Sequence, residues 1–187
     1  MPLLSRVSAA DRAVMARVAA TESPALDRVM PALSHAANHS VLWLGVAAAL
    51  AATGRPRPRR AALRGLASVA LASTASNVIG KGLTGRARPS APVPPARRLA
   101  HDVRTTSFPS GHAASGFAFT LAVGAELPAM VPLLAPLAVA VAYSRVHVGV
   151  HYPSDVTAGI AIGLASGLLA TYVHRGNEPA QDSVHEG

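Results

Sequence analysis

The stretch Ser154-DVTAGIAIGLASGLLATY-Val173 reads as a helix that crosses a lipid bilayer. Roughly 20 apolar residues are needed to span the hydrocarbon core, and here the one charge is Asp155, at the N-terminal edge. Gly159, Gly163 and Gly167 recur every four residues, so they fall along one helix face. Such a stripe lets a second helix pack closely. A chain simply rich in small residues is the plainer account of the same pattern.

Working outward, further apolar stretches lie at about 39–54, 61–80, 111–127 and 129–147. The second has full spanning length and the first is short. All are rich in Ala, Gly and Ser. Half of the 187 residues are apolar, 14% are charged, and the mean hydropathy is +0.32. These features predict an all-α integral-membrane bundle with about five spanning helices. Pro128 and Pro132 mark a tight turn between the third and fourth spans.

Residues 9–34 alternate apolar and charged positions at helical spacing, broken at Pro24 with Ser23 as a cap for a second segment. This predicts an amphipathic pair lying at the interface. An amphipathic helix packed on a core is the alternative. No apolar run follows the start in the manner of a signal peptide. The expected organisation is one membrane domain over 1–187: an amphipathic segment 1–34, a helical bundle 35–174 and a polar tail 175–187.

The net charge is +8 and all but one of the 17 basic residues are arginine. Such a chain can meet nucleic acid, anionic membrane or phosphate-bearing substrates. The arginines cluster between apolar stretches, as in GRPRPRR at 54–60, without interleaved aromatics, so nucleic acid is not expected. With no cysteine, disulfides and thiolate metal sites are excluded.

Three blocks between the spans carry the chemistry. Lys81 and Arg88 stand seven residues apart, in Lys81-GLTGRA-Arg88-Pro89. They supply a point charge and a planar fork, both suited to phosphate. Gly82 and Gly85 favour an unwound loop between them. In Pro109-Ser110-Gly111-His112, Ser110 is placed to cap the third span, Gly111 to let the backbone approach, and His112 to move a proton in the first turn. In Ser144-Arg145-VHVGV-His151-YPS-Asp155, Arg145 adds a third cation. Asp155 starts the next helix, within reach of one His151 ring nitrogen, leaving the other to attack. Alternating spans put all three blocks on one side of the membrane. Each block alone has a plainer reading as an interfacial basic end or a helix cap.

A metal site is the competing chemistry. His35 and His39 are four apart, as are His147 and His151, the spacing of a helical ligand pair. The first pair lacks a third ligand, and Pro153 interrupts any helix face joining the second to Asp155. His147 is read as packing or solvent-facing. Arg86, Arg97, Arg98 and Arg104 are candidates for a head-group entrance, each with a solvated loop as the plainer reading.

The spacing K-x6-RP, PSGH, SR-x5-H-x3-D resembles the type 2 phosphatidic acid phosphatase (lipid phosphate phosphatase) family, closely from Lys81 to Asp155. The resemblance implies phosphate binding by Lys81, Arg88, Ser110, Gly111 and Arg145. It implies a phosphohistidine at His151 supported by Asp155, with His112 as general acid and then as activator of water. It also implies no metal or other cofactor, a lipid phosphate substrate, membrane lipids as surroundings, and a site at the extracytoplasmic face of the cell membrane. Phosphatidic acid, phosphatidylglycerophosphate and polyprenyl phosphates, pyrophosphates or phosphosugars are the candidate substrates. The alternatives are a vanadium-dependent haloperoxidase, which shares the pocket but is larger and soluble, and a non-catalytic membrane scaffold.

Overall fold

A computed structural model describes residues 3–83, 85–90, 94–97 and 106–176, with side chains for 5–80, 85–90, 94–97 and 106–173. Among the described residues seven α-helices run in order: α1 Leu3–Ala20, α2 Pro24–Ala36, α3 Val41–Ala52, α4 Pro56–Leu83, α5 Gly111–Glu126, α6 Val131–His147 and α7 Pro153–Gly176. Three of them begin at proline, whose fixed φ and missing N–H cost nothing at the first helical position. Ser23 caps α2 by accepting the Leu26 amide at 3.4 Å.

Among the described residues three segments are long and apolar enough to cross a membrane: Pro56–Gly80, Pro128–His147 and Pro153–Val173. Asn38–Ala52 is apolar but shorter, and α5 has 16 residues. The five expected spans are therefore three of full length and two short helices, α3 and α5. The protein is an all-helical membrane bundle.

Its packing is built from small residues. α5 is the central helix and lies against α4, α6 and α7, with Ala113, Ala114, Ala118, Phe119, Ala122 and Val123 fully buried. The glycine stripe of α7 faces it. A methyl group at Gly159 or Gly163 would overlap the carbonyl oxygens of Ser110 and Ala114, and one at Gly167 would sit 3.0 Å from that of Ala118. The stripe is thus a helix-packing seam, as its spacing suggested. Gly65 and Gly116 make room for the rings of Phe119 and Trp43, which tilt together with centroids 5.4 Å apart.

Large apolar side chains point outward instead: Leu63, Val78, Leu133, Leu168 and Tyr172 are all more than half exposed. Large apolar groups facing outward are expected when the surrounding solvent is lipid, since burying Leu gains nothing there.

The two ends of the bundle differ. At one, Glu126 closing α5 meets Arg57, Arg60 and Arg64 of α4. At the other, the start of α5 and the start of α7 are joined by Ser110 N donating to the Asp155 carbonyl at 2.9 Å. All three motif blocks lie at this second end, as counting alternate spans predicted. There α1 packs on α6 and α7, and α2 on α6. The N-terminal pair is therefore docked on the bundle: Asp11, Met15, Met30 and Ser34 are buried while its arginines face out.

Candidate active site

α4 stays helical past Gly80 to Leu83, which carries Lys81 to the site end of the bundle. The Lys81 side chain lies outside the described residues. Beyond it the chain is unwound over 85–90, so the loop expected between Lys81 and Arg88 begins only after Leu83. Arg88 reaches inward from this loop. Its guanidinium donates to the Val150 carbonyl at 2.6 Å and the Thr106 carbonyl at 3.2 Å, and lies 3.4 Å from His151 Nε2.

The turn between α6 and α7 delivers His151. Gly149 takes a left-handed φ of 73°, open to glycine without penalty, and the amides of Val150 and His151 both donate to the Arg145 carbonyl at 3.2 Å. The imidazole is almost wholly buried. Its Nδ1 lies 2.6 Å from the Ser107 carbonyl. A carbonyl only accepts, so Nδ1 carries the proton and Nε2 presents its lone pair beside Arg88.

This differs from the expected pairing. Asp155 Oδ2 is 3.8 Å from His151 Nδ1, beyond hydrogen-bond reach. The carboxylate instead accepts from Arg86 at 2.6 Å and from the Tyr152 amide at 2.8 Å. The reason is local: Pro153 starts α7 and folds Asp155 back over the Tyr152 amide, while Ser107 arrives from another segment to take the ring. Burial pushes the His151 imidazole below its usual range, and the charges of Arg145 and Arg88 reinforce this, against Asp155. It is neutral at pH 7.

Arg145 is buried on α6 and donates to the Ser34 hydroxyl of α2. Ser110 occupies the N-cap of α5, yet its hydroxyl makes no cap bond. Ser110 Oγ and Arg145 Nε are both buried without a hydrogen-bond partner in the described residues, an uncommon condition for buried polar atoms. Gly111 borders open space: a side chain there would meet nothing within 4 Å. His112, in the first turn of α5, has Nε2 3.0 Å from the Asn38 side-chain oxygen.

Several neighbours were not legible beforehand. Ser34, Asn38 and Ser107 orient Arg145, His112 and His151, and no sequence pattern links them to their partners. Arg86 and Arg97 are not entrance residues. Arg86 joins Asp155 to Asp11 of α1. Arg97, fully buried, binds Asp27 at 2.7 Å and the Val18 and Thr21 carbonyls, tying the α1–α2 corner down. His147 is buried rather than solvent-facing and bonds Asp27 at 2.9 Å. Arg98, His101 and Arg104 lie outside the described residues. His39 sits at φ 52°, outside any helix shared with His35, and His147 and His151 turn to different partners. No three His, Asp or Glu groups among the described residues are gathered as a metal site.

Comparison with known proteins bears on this geometry. None of the curated proteins compared matches the chain. Among solved structures, the chain is similar to a transmembrane PAP2-type phosphatidylglycerolphosphate phosphatase from Bacillus subtilis. The match has 22% identity and a TM-score of 0.75, over 94% of this chain and 90% of that one. It is also similar to Aquifex aeolicus LpxE, at 20% identity and a TM-score of 0.67, over 85% and 93%. These likenesses carry the fold. The PAP2 superfamily model matches residues 41–179, which include every motif block, and the chain accordingly belongs to the PAP2 superfamily, as a membrane phosphoric monoester hydrolase.

Proposed function

We propose that the protein hydrolyses the phosphomonoester or pyrophosphate of a membrane lipid through a phosphohistidine at His151. The observation that carries this reading is the fixed tautomer of His151, with Nδ1–H held by Ser107 and Nε2 beside Arg88. Nε2 attacks phosphorus as the bond to the lipid oxygen breaks. Because the Nε2–H of His112 is donated to Asn38, its Nδ1 starts unprotonated; Nδ1 takes the proton of the bound phosphate monoanion and passes it to that leaving oxygen. His112 then takes a proton from water, whose oxygen displaces His151 and releases inorganic phosphate. Arg88, Arg145 and Lys81 offset the charge on the equatorial oxygens, the main task in phosphoryl transfer. Buried Ser110 Oγ and Arg145 Nε are donors ready for those oxygens.

Lipid as the substrate is supported by an apolar cavity of about 310 Å³ between α1, α5, α6 and α7. Pro153 and Val156, on the turn of α7 that bears Asp155, form part of its wall. We place the site at the extracytoplasmic face of the cell membrane. Arg55, Arg57, Arg59 and Arg60, at the opposite end, then face the cytoplasm, where short loops concentrate arginine. A haloperoxidase reading gains nothing from this lipid-facing exterior.

The test is phosphate release by the purified protein in detergent. Substrates are phosphatidic acid, phosphatidylglycerophosphate and polyprenyl mono- and pyrophosphates, with excess chelator present. Release is expected to persist with chelator and to vanish in His151→Ala, with acid-labile phosphate trapped on the wild type alone. A magnesium-restored collapse, or His151→Ala keeping more than about a tenth of the activity, would overturn the mechanism. A water-soluble ester outrunning every lipid would remove the lipid claim.

A further inference from the structure

Arg86 lies outside the three cations that motif spacing assigns to phosphate, and its surroundings differ from those of Arg88 and Arg145. One guanidinium nitrogen donates to Asp155 Oδ1 at 2.6 Å and to the Ser154 hydroxyl at 2.7 Å; the other donates to Asp11 Oδ2 at 2.7 Å. Asp11 in turn accepts the Ser154 amide at 3.0 Å and its hydroxyl at 2.6 Å. The plane of Arg86 covers the Tyr152 ring at 4.2 Å. Both terminal nitrogens of this fork are bonded to protein groups.

The main chain at Arg86 also matters. Its carbonyl accepts the Ser107 amide at 2.9 Å, and the Ser107 hydroxyl donates to the Ala87 carbonyl at 3.1 Å. Ser107 is the residue whose own carbonyl holds His151 Nδ1. Arg86 therefore fixes both groups beside the imidazole: Ser107 by its backbone, Asp155 by its side chain. Asp11 and Asp155 are buried, and each would be a buried charge without this partner.

Resting on His151 as the nucleophile, we propose that Arg86, anchored by Asp11 of α1, is the positioning residue that holds Asp155 and Ser107 in place beside the His151 ring. The amphipathic N-terminal helix thereby becomes part of the catalytic framework. Charged and titratable groups facing His151 come from several elements: Arg88 and Arg86 from the 85–90 loop, Arg145 from α6, Asp155 from α7 and His112 from α5. Asp11 acts from α1 through Arg86. Removing the Arg86 charge leaves Asp155 uncompensated beside His151, which favours the imidazolium. Removing the Asp11 charge leaves Arg86 less neutralised, which disfavours it.

The two ends of one guanidinium thus predict opposite shifts. The experiment measures kcat and KM against pH for the full chain on phosphatidic acid micelles, comparing wild type, Arg86→Gln, Arg86→Lys, Asp11→Asn and His151→Ala. In Arg86→Gln, kcat should fall about 100-fold, the cost of displacing reacting groups by about 1 Å. KM should change little, the acid limb should move to higher pH, and Arg86→Lys should recover part of the loss. In Asp11→Asn the acid limb should move to lower pH. A uniform loss of activity with the limb unmoved in Asp11→Asn overturns the proposal, even if Arg86→Gln does not fold. So does a KM rise with kcat intact in Arg86→Gln, which would make Arg86 a phosphate ligand. An active His151→Ala overturns the mechanism it rests on, whereas an inactive one with unshifted limbs removes this inference alone.

Discussion

At the residue scale, His151 is held neutral by burial and by two flanking arginines. A nucleophilic imidazole works only unprotonated, so activity rises with pH through its ionisation. Because the folded value lies below the ordinary imidazole value of about 6.5, the acid limb of kcat/KM should fall below that pH and the enzyme should keep working in mild acid. A limb at or above about 6.5 would contradict this environment. Asp155→Asn removes the carboxylate that pairs with Arg86 and receives the Tyr152 amide. It leaves Arg86 without that partner beside His151 and is expected to lower kcat by roughly two decades, the cost of shifting reacting groups by about 1 Å, with the purified protein still monodisperse. Sequence marked both residues as partners, and they are neighbours. The bond expected between them is replaced by one from Ser107, because a carbonyl 44 positions away reaches the ring first.

At the element scale, the seam between α5 and α7 decides where the site forms. Ser110 opens α5 and Asp155 opens α7, and the glycines of α7 let the two helix starts meet through a backbone hydrogen bond. A side chain at Gly163 would meet the Ala114 backbone, which cannot rotate away as a side chain can. Gly163→Val should therefore cost more than the roughly 1–3 kcal/mol of ordinary overpacking, seen as a fall of several degrees in melting temperature and a loss of activity. Gly45→Ala is the matched control. Nothing lies within 4 Å of its added methyl, and alanine favours helix by up to about 1 kcal/mol. Equal tolerance at both positions would count against the seam. The stripe was legible from the four-residue spacing alone, whereas its partner helix was not, since spacing defines a face but not what covers it.

At the scale of the whole molecule, the bundle has a catalytic end covered by α1 and α2 and an opposite end bearing Arg55, Arg57, Arg59 and Arg60. Ion pairing separates the two. At the catalytic end Arg86 is shared between Asp11 and Asp155, and Arg97 is paired with Asp27. At the opposite end the exposed arginines of α4 have Glu126 as their acidic neighbour among the described residues. The chain lacks cysteine, so single cysteines at the exposed Arg28 and Arg55 report each end cleanly. A membrane-impermeant maleimide on intact cells should label Arg28→Cys and spare Arg55→Cys. The reverse pattern would put the site on the cytoplasmic face.

Sequence alone determined the spans, their alternation and hence the gathering of three distant blocks at one end. Those properties follow from hydropathy and periodicity, which are local. It also marked the charges suited to phosphate, because residue type and spacing carry that chemistry directly. Only the tertiary structure decided which partner each polar side chain takes. Arg86 and Arg97 belong to the same arginine-rich connection as Arg88, yet Arg86 and Arg97 serve as internal clamps while Arg88 stands beside the nucleophile. The physical reason is one of range. A hydrogen bond is made or lost within about 1 Å, and the groups that settle it here, Asp11, Asp27 and Ser34 of the N-terminal helices and Asn38 of the link that follows them, arrive from many tens of residues away from the motifs they complete.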